Sequence, residues 1–114
     1  GTRHFVSFFN PTLVYDPQHY DNVIFNAYTQ NKSNNALEDG AYIYYHGKLH
    51  KVIDTETRVS GKVIKKPVTT GFNSPVQLGA VSLSQDPKSP KREQTVISLK
   101  FTDGSAALYL VTLN

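Results

Sequence analysis

Aromatic, imidazole and ammonium groups are concentrated in one short stretch, GAYIYYHGKLHKVIDT, at residues 40–55. Rings can stack on sugars, peptides or nucleic-acid bases, and cations beside them add polar contacts. The candidate binding residues are Tyr42, Tyr44, Tyr45, His46, Lys48, His50 and Lys51. Tyrosine is also a favoured strand residue that stabilises hairpins without a ligand, so the same residues can be purely structural.

The residues typical of catalytic and metal sites are scarce. His46 and His50 have the i, i+4 spacing of a zinc motif, but Gly47 between them interrupts the helix that this motif needs. His4 and His19 are isolated in the sequence, and the nine acidic residues lie mostly in turn-like segments. The chain has no cysteine, which excludes disulfides and thiolate chemistry. We therefore expect no metal, no cofactor and no enzymatic activity.

The tyrosine-rich stretch predicts a hairpin with strands at residues 41–45 and 48–53 and a turn at His46-Gly47. The predicted cross-strand pairs are Tyr45 with Lys48, Tyr44 with Leu49, Ile43 with His50, and Tyr42 with Lys51. Neither face of this hairpin is purely apolar. We expect one face to pack on the core and the other to form an amphipathic aromatic surface.

A second hairpin is predicted in the C-terminal segment QTVISLKFTDGSAALYLVTL, where two alternating runs flank Asp103-Gly104. That dipeptide favours a two-residue type I′ turn. The core face in this register carries three pairs: Phe101 with Ala106, Leu99 with Leu108, and Ile97 with Leu110. A slip of one residue would turn these apolar side chains to water, so we expect the two strands to anchor the core.

Glycine marks two further features between the hairpins. Ser60-Gly61 predicts a third strand pair, and PVQLGAVSL at residues 75–83 predicts a strand with a bulge at Gly79. Residues 84–93 combine prolines and charges with no apolar residue, which is typical of an exposed loop.

The N-terminal third can be interpreted in two ways. HFVSFF at residues 4–9 predicts a strand that ends at Asn10-Pro11. Asp16 and Pro17 are residue types preferred at a helix start. Helical spacing follows in Tyr20, Val23, Ile24, Ala27 and Tyr28. The sequence favours a helix over residues 17–30, with a buried strand as the alternative because β-branched and aromatic residues prefer strands.

Together these segments predict one mainly β domain over residues 1–114. The expected architecture is a small antiparallel barrel or sandwich of about six to eight strands with at most one N-terminal helix, and an α+β fold is the alternative. No apolar run approaches the roughly 20 residues that span a bilayer. Because the chain begins at Gly1 and lacks methionine, we expect it to be a fragment of a longer product.

Positive charge is concentrated in the middle of the chain. Residues 1–45 hold two cations and four acids, a net charge of −2, whereas residues 46–100 hold ten cations and four acids, a net charge of +6. Such an excess can attract phosphates or acidic glycans, and it can equally be solvated lysines that protect sheet edges. Lys62, Lys65 and Lys66 would meet phosphates if the chain bound single-stranded nucleic acid.

The run NALEDGAYIYYHGKLHKVIDTETRVSGKVIK, about a quarter of the chain, resembles a short strand-turn-strand module of bacteriophage tail-fibre, baseplate and other virion proteins. The matching residues are Gly40, Tyr42, Ile43, Tyr45, Gly47, Leu49, Lys51, Val52 and Gly61. The run is also distantly similar to the strand pair of small chitin-binding modules. Those modules stack sugar on tryptophan, which this chain lacks, and His50 stands where the phage pattern usually has tyrosine.

This resemblance implies a non-enzymatic virion or cell-surface module that acts in particle assembly or in host or surface attachment through the tyrosine-rich hairpin. The expected location is the virion or the extracellular surface. Expected partners are further copies of the chain, other virion or surface proteins, or an anionic glycan or wall polymer. The alternative is a small basic β-barrel that binds single-stranded nucleic acid with the same rings.

Overall fold

The computed structural model describes residues 2–14, 22–70, 74–83 and 93–112, and these form nine strands and no helix. The strands are β1 (Arg3–Val14), β2 (Asn22–Asn31), β3 (Leu37–Tyr45), β4 (Lys48–Asp54), β5 (Arg58–Val59), β6 (Lys62–Val63), β7 (Val76–Leu83), β8 (Glu93–Lys100) and β9 (Ala106–Thr112). They make a four-stranded sheet β1-β2-β3-β4, a small sheet β5-β6 and a three-stranded sheet β7-β8-β9. All pairs are antiparallel, which confirms the predicted mainly β fold.

The two larger sheets face each other across one hydrophobic core, as in a small sandwich. The buried core residues are Val14, Ile24, Ala41, Ile43, Ile53, Ile64, Val76, Leu78, Ile97, Leu99 and Phe101. Both larger sheets contribute to this cluster, and the segment after β6 adds Ile64. We call the sheet faces toward this cluster inner and the opposite faces outer.

The favoured helix over residues 17–30 is wrong where the structure describes the chain, because β2 occupies residues 22–31. This strand lies between β1 and β3 and is apolar on both faces. Ile24 faces the core, while Phe25 belongs to an aromatic cluster on the outer face. Two-sided burial removes the strict alternation that marks a strand, so the apolar residues also fitted a helical spacing by coincidence. Asp16 and Pro17 lie outside the described residues.

Strand β1 does not end at Asn10-Pro11 as predicted but continues to Val14. Its register against β2 shifts between Phe9 and Thr12, and Asn10 has a positive φ of 52°. Because β1 is an edge strand, a proline there removes no hydrogen bond from an inner ladder. Pro11 is therefore accommodated in a β-bulge of the edge strand.

The features predicted at His46-Gly47, Ser60-Gly61 and Gly79 are confirmed. Strands β3 and β4 have the predicted register, from Tyr45 opposite Lys48 to Tyr42 opposite Lys51. Strands β5 and β6 turn at Ser60-Gly61, where both φ angles are positive. The register of β7 against β8 shifts after Leu78, which places a bulge at the position predicted from Gly79.

The C-terminal hairpin forms, but its predicted register is wrong by one residue. Leu99 lies opposite Ala107 rather than Leu108. Leu108 and Leu110 therefore lie on the outer face of the three-stranded sheet, where they are 77% and 63% exposed. Ala107 and Val111 pack against the core instead.

The turn of this hairpin causes the shift. A type I′ turn needs positive φ at both central residues, but among residues 101–105 only Gly104 has one, at 86°. The Gly104 N–H donates to the Phe101 carbonyl at 3.1 Å, and the Phe101 N–H donates to the Ser105 carbonyl at 2.9 Å. The Asp103 carboxylate accepts the Ser105 N–H at 2.8 Å, and its hydrogen bonds from Ser105 lower the pKa of Asp103 to about 2.

Two buried polar side chains of the four-stranded sheet form hydrogen bonds with backbone groups of β7, on the edge that does not pair with β8. The Asn26 amide donates to the carbonyls of Gly40 and Val76, each at 3.1 Å, and accepts the Leu78 N–H at 2.9 Å. The Asp39 carboxylate accepts the Val76 N–H at 3.0 Å. These groups take the place of a neighbouring strand, and they join the two larger sheets.

Most of the predicted loop lies outside the described residues, since only Glu93 of residues 84–93 is described, at the start of β8. No stretch of the described chain forms a helix of the length and apolarity that crossing a membrane would require.

We expect Asn26→Ala to lower the free energy of unfolding by about 2–3 kcal/mol, because the buried Leu78 N–H loses its acceptor. Urea denaturation measures this change. Gln30→Ala is the matched control on the same strand, since it removes one exposed hydrogen bond to the Asn35 carbonyl and should cost less than about 1 kcal/mol. Equal losses from the two variants would show that Asn26 does not join the sheets.

Candidate functional site

The tyrosine-rich hairpin comprises β3 and β4, with His46-Gly47 as its turn. His46 and Gly47 both have positive φ, 49° and 80°, as a type I′ turn requires. This turn sets the register and thereby divides the predicted binding residues between two faces.

The outer face of the hairpin carries Tyr42, Tyr44, Leu49 and Lys51, which pair across the two strands. Tyr42 is only 8% exposed because rings from β1 and β2 cover it, whereas Tyr44 is 45% exposed. The structure thus brings Tyr42, Tyr44 and Lys51 together on the face away from the core.

The remaining predicted residues lie elsewhere. Tyr45 packs against the core, and its ring stacks on His46 at a centroid distance of 4.1 Å. The His46 N–H donates to the Asn22 side chain at 2.9 Å. Lys48 and His50 are exposed on the inner side of the hairpin, opposite Tyr45 and Ile43. The seven residues therefore do not form one continuous binding wall, and their role in binding stays a prediction.

Three phenylalanines complete the outer face, and the sequence reasoning missed them. The Phe5 ring lies 5.1 Å from Phe8 and 5.1 Å from Tyr42, and Phe25 lies 5.5 Å from Phe8 and 6.0 Å from Tyr42. Phe8 is 62% exposed. We call this group the aromatic face; its described members are Phe5, Phe8, Phe25 and Tyr42, bordered by the exposed Leu13, Tyr44 and Leu49.

The sequence pattern does not reveal that these phenylalanines share a face, because the strand alternation is interrupted by a bulge. Phe5 and Phe8 are three residues apart, so regular alternation would place them on opposite faces. The register shift at Val6 returns both to the outer face. Phe25 lies in the segment that was favoured as a helix. A bulge placed at Val6 and a strand over residues 22–31 would have predicted the cluster.

Gly40 gives the Tyr42 ring its place. A Cβ at Gly40 would lie 3.0 Å from Tyr42 Cε2 and 3.0 Å from the Ile53 carbonyl oxygen. The glycine therefore leaves the space that the ring occupies over the sheet. Burial, with the nearby Asp54 carboxylate, raises the pKa of the Tyr42 phenol.

A groove of about 240 Å³ borders the aromatic face. The rings of Phe5 and Tyr42 and the charged Arg3, Lys51, Asp54 and Glu56 contribute to its lining. Arg3 is paired with Glu56, and Lys51 Nζ lies 3.1 Å from Asp54 Oδ2. The groove therefore combines apolar rings with charges that are already neutralised by ion pairs.

Two polar atoms lining this groove are buried without a hydrogen-bond partner, Arg3 Nη1 and Thr29 Oγ1. The Thr29 hydroxyl lies near enough to the Tyr42 phenol to oppose the rise in its pKa, without completing a hydrogen bond.

The described residues include no group of three or more histidines or acids placed to hold a metal ion. Several acids instead have structural contacts. Glu38 is buried beside Lys66 and the Thr55 hydroxyl, and Asp54 accepts the Glu56 N–H at 3.0 Å.

Asp39 and Ser74 form a buried junction beside a second cavity. The Ser74 hydroxyl contacts both Asp39 Oδ2 and the Val76 carbonyl, the latter at 2.6 Å, but it has one proton to donate. A protonated Asp39 would donate to the Ser74 hydroxyl, which would then donate to the Val76 carbonyl, so the neutral acid satisfies both of these contacts. Burial raises the pKa of Asp39 to about 6, against the opposing hydrogen bonds from Ser74, Val76 and Gly40.

The cavity, about 230 Å³, is lined by Tyr28, Lys65, Lys66, Pro67, Val68, Thr69 and Pro75. Burial and the Asp39 charge both raise the pKa of Tyr28. Lys66 is paired with Glu38, so the remaining polar groups of the lining are the Tyr28 phenol, the Thr69 hydroxyl and Lys65.

A scan against protein-family models, a search of curated proteins and a search of solved structures each found no match to this chain.

We expect Tyr42→Ala to lower the free energy of unfolding by about 3 kcal/mol, because it removes a nearly buried ring from contact with two phenylalanines. Tyr44→Ala is the control at the neighbouring outward position, and it should cost less than about 1 kcal/mol because the side chain is half exposed. Urea denaturation compares the two. Similar costs would contradict the burial assigned to Tyr42.

Asp39 also predicts a pH dependence of stability. Its folded pKa of about 6 lies above the ordinary value of 3.8, so the folded state holds this proton more tightly. The stabilisation is fully present below about pH 4 and is lost as the pH rises through about 6, by about 2–3 kcal/mol. Asp39→Asn cannot ionise and should flatten this part of the profile. Urea denaturation from about pH 4 to 7.5 tests it, and equally steep profiles would contradict the assignment.

Proposed function

We propose that the chain is a non-enzymatic contact module of a virion or cell surface, and that it attaches to its partner through the aromatic face. The observation that carries the proposal is a cluster of contacting rings on the side of the four-stranded sheet that faces away from the core. Contiguous apolar surface of this kind on a soluble domain marks an interaction site more often than scattered exposed residues do.

The contacts within the face favour binding by a preformed surface. The rings of Phe5, Phe25 and Tyr42 contact one another. Phe25 and Tyr42 lie on the two central strands of the sheet, β2 and β3, and Phe5 lies on the edge strand β1. Such rings lose little conformational freedom when a partner docks. Phe8 is the ring with the largest exposed fraction in the cluster, so it is the natural anchor of a contact.

The contacts of the acidic residues support the non-enzymatic character of the proposal. Glu38 is held by Lys66 and Thr55, and Asp39 by Ser74 and Val76, all contacts that join strands and loops. General acid–base catalysis needs such a group within reach of a substrate. These carboxyl groups instead connect strands and loops within the fold.

The charges along the groove bear on the chemistry of the partner. Arg3 and Lys51 line the groove together with Phe5 and Tyr42, and they are paired with Glu56 and Asp54, respectively. An anionic wall polymer would have to displace these acids before it met the cations. The geometry therefore favours an uncharged glycan, or a protein surface with both apolar and polar groups. Either can stack on the rings and form hydrogen bonds with the polar residues that line the groove.

The same pairing weakens the nucleic-acid alternative. Lys62 Nζ lies 3.3 Å from Asp103 and also contacts Ser105, and Lys66 is paired with Glu38. Of the three lysines expected to meet phosphates, Lys65 has no carboxylate partner among the described residues. Non-specific binding to nucleic acid relies on many unpaired cations, so this arrangement is a poor match.

We expect Phe8→Ser to weaken binding about tenfold or more while changing the free energy of unfolding by less than about 1 kcal/mol, because the ring is mostly exposed. The labelled chain is tested on purified bacterial cell walls and on an array of neutral and anionic glycans. Val68→Ser is the control, since it removes an exposed apolar side chain that lines the other cavity.

Three results would overturn this proposal. The first is binding that Phe8→Ser and Val68→Ser reduce equally, and the second is the absence of binding to any of these probes. The third is tight binding to a single-stranded oligonucleotide that falls steeply as salt is added, which would favour the nucleic-acid alternative.

A further inference from the structure

Within the described residues, one edge of β9 has no neighbouring strand. Strand β9 is the last strand of the three-stranded sheet, and β8 is its neighbour in that sheet. The direction of its backbone groups follows from Lys100, whose N–H donates to the Pro75 carbonyl at 3.0 Å and whose carbonyl accepts the Lys65 N–H at 2.8 Å. Both groups of Lys100 therefore point toward the β7 side, away from β9.

Lys100 lies opposite Ala106, and the register of β8 against β9 has no shift. Backbone groups alternate in direction from one residue to the next, and in a non-hydrogen-bonded pair both residues point away from each other. The outward residues of β9 are consequently Ala106, Leu108, Leu110 and Thr112. No backbone hydrogen bond from another described part of the chain reaches them.

The outer strands of the larger sheets other than β9 carry features that discourage edge pairing. Strand β1 has Pro11 and two register shifts, and β4 has Lys48, Lys51 and Asp54. The outer edge of β7 is already hydrogen-bonded by Asn26 and Asp39, as described above.

Strand β9, with the sequence AALYLVT, has no charge, no proline and no register shift. Its two leucines are also the most exposed apolar residues of the three-stranded sheet whose side chains the structure describes, and Val96 lies opposite Leu110 on the same face. An open edge and an apolar face thus coincide on one strand.

We infer that β9 pairs antiparallel with β9 of a second copy of this chain, and that the two three-stranded sheets join into one continuous six-stranded sheet. The occupant follows from chemical matching. In an isologous pair the same strand of each copy forms both sides of the contact. Because β9 is uncharged, no like charges meet across such a contact. Each of the other long edge strands, β1 and β4, would bring charged side chains to this apolar edge.

The directions of the backbone groups determine the register of the pair. Outward residues must face outward residues, and full overlap of the strand is reached when the two-fold axis passes at Tyr109. Leu108 then faces the partner's Leu110, and Ala106 faces the partner's Thr112. Four such pairs exchange about eight backbone hydrogen bonds. The exposed leucines of both copies form one apolar strip across the junction.

This contact is separate from the aromatic face, because it uses the other large sheet. A dimer through β9 leaves the aromatic face of each copy uncovered. The dimer therefore has two such faces, and attachment is stronger when both bind a partner at the same time. The inference does not depend on the proposed function, and each can fail alone.

Sedimentation velocity of the full chain between about 10 µM and 1 mM tests the pairing, and we expect a dimer whose fraction rises with concentration. Two double variants test the register. Leu108→Lys with Leu110→Lys places like charges opposite each other twice, whereas Leu108→Glu with Leu110→Lys places opposite charges there and removes the same apolar side chains. We expect the dissociation constant of the first to be about tenfold or more above that of the second.

Phe8→Ser and Val68→Lys are the controls and should leave the dimer unchanged, and circular dichroism confirms that each variant folds. A wild-type chain that sediments as a monomer at every concentration would overturn the inference. Equal dissociation constants for the two double variants would also overturn it, as would loss of the dimer in Phe8→Ser, which would assign self-association to the aromatic face.

Discussion

The hydrogen bonds by which Asn26 and Asp39 complete the outer edge of β7 are the constraint on which the rest of this structure depends. Apolar side chains drive the two larger sheets together, but the hydrophobic effect is non-directional and tolerates many arrangements. The Asn26 amide and the Asp39 carboxylate recognise particular backbone groups of Val76 and Leu78. They thereby fix which face of β2 and β3 is the inner one and where β7 crosses it.

That choice of inner face exposes the other one. Both β2 and β3 carry apolar residues on each side, so whichever side packs on the core, the opposite side must present rings to its surroundings. The bulge at Val6 then adds Phe5 and Phe8 to the same side. The aromatic face is thus a consequence of how the sandwich closes, and the tyrosine-rich hairpin supplies only part of it.

Three of the ten cations in the basic middle segment have acidic partners, since Lys51, Lys62 and Lys66 each lie within ion-pairing distance of an acid. The acids paired with Lys51 and Lys66 are nearly buried, whereas the Lys62–Asp103 pair is exposed on both sides and contributes little to stability. All three pairs reduce the long-range field of the segment. The two contact surfaces that we propose, the aromatic face and the β9 edge, both carry exposed apolar side chains.

Local signals in the sequence determined the elements that depend on two or three neighbouring residues. His46-Gly47 and Ser60-Gly61 specify turns because glycine adopts positive φ without strain, and the strands beside them follow in register. Only the tertiary structure decided that residues 22–31 form a strand, because burial on both faces removes the alternation that sequence reasoning needs. It also decided the C-terminal register. Phe101 pairs with Ile64, and the Gly104 N–H donates to the Phe101 carbonyl, in place of the type I′ turn predicted at Asp103-Gly104. The aromatic face could be predicted only in part, because its rings come from β1, β2 and β3 and meet through a bulge. Contacts between residues far apart in the chain carry no local signal, and they set both the faces of the sheets and the site.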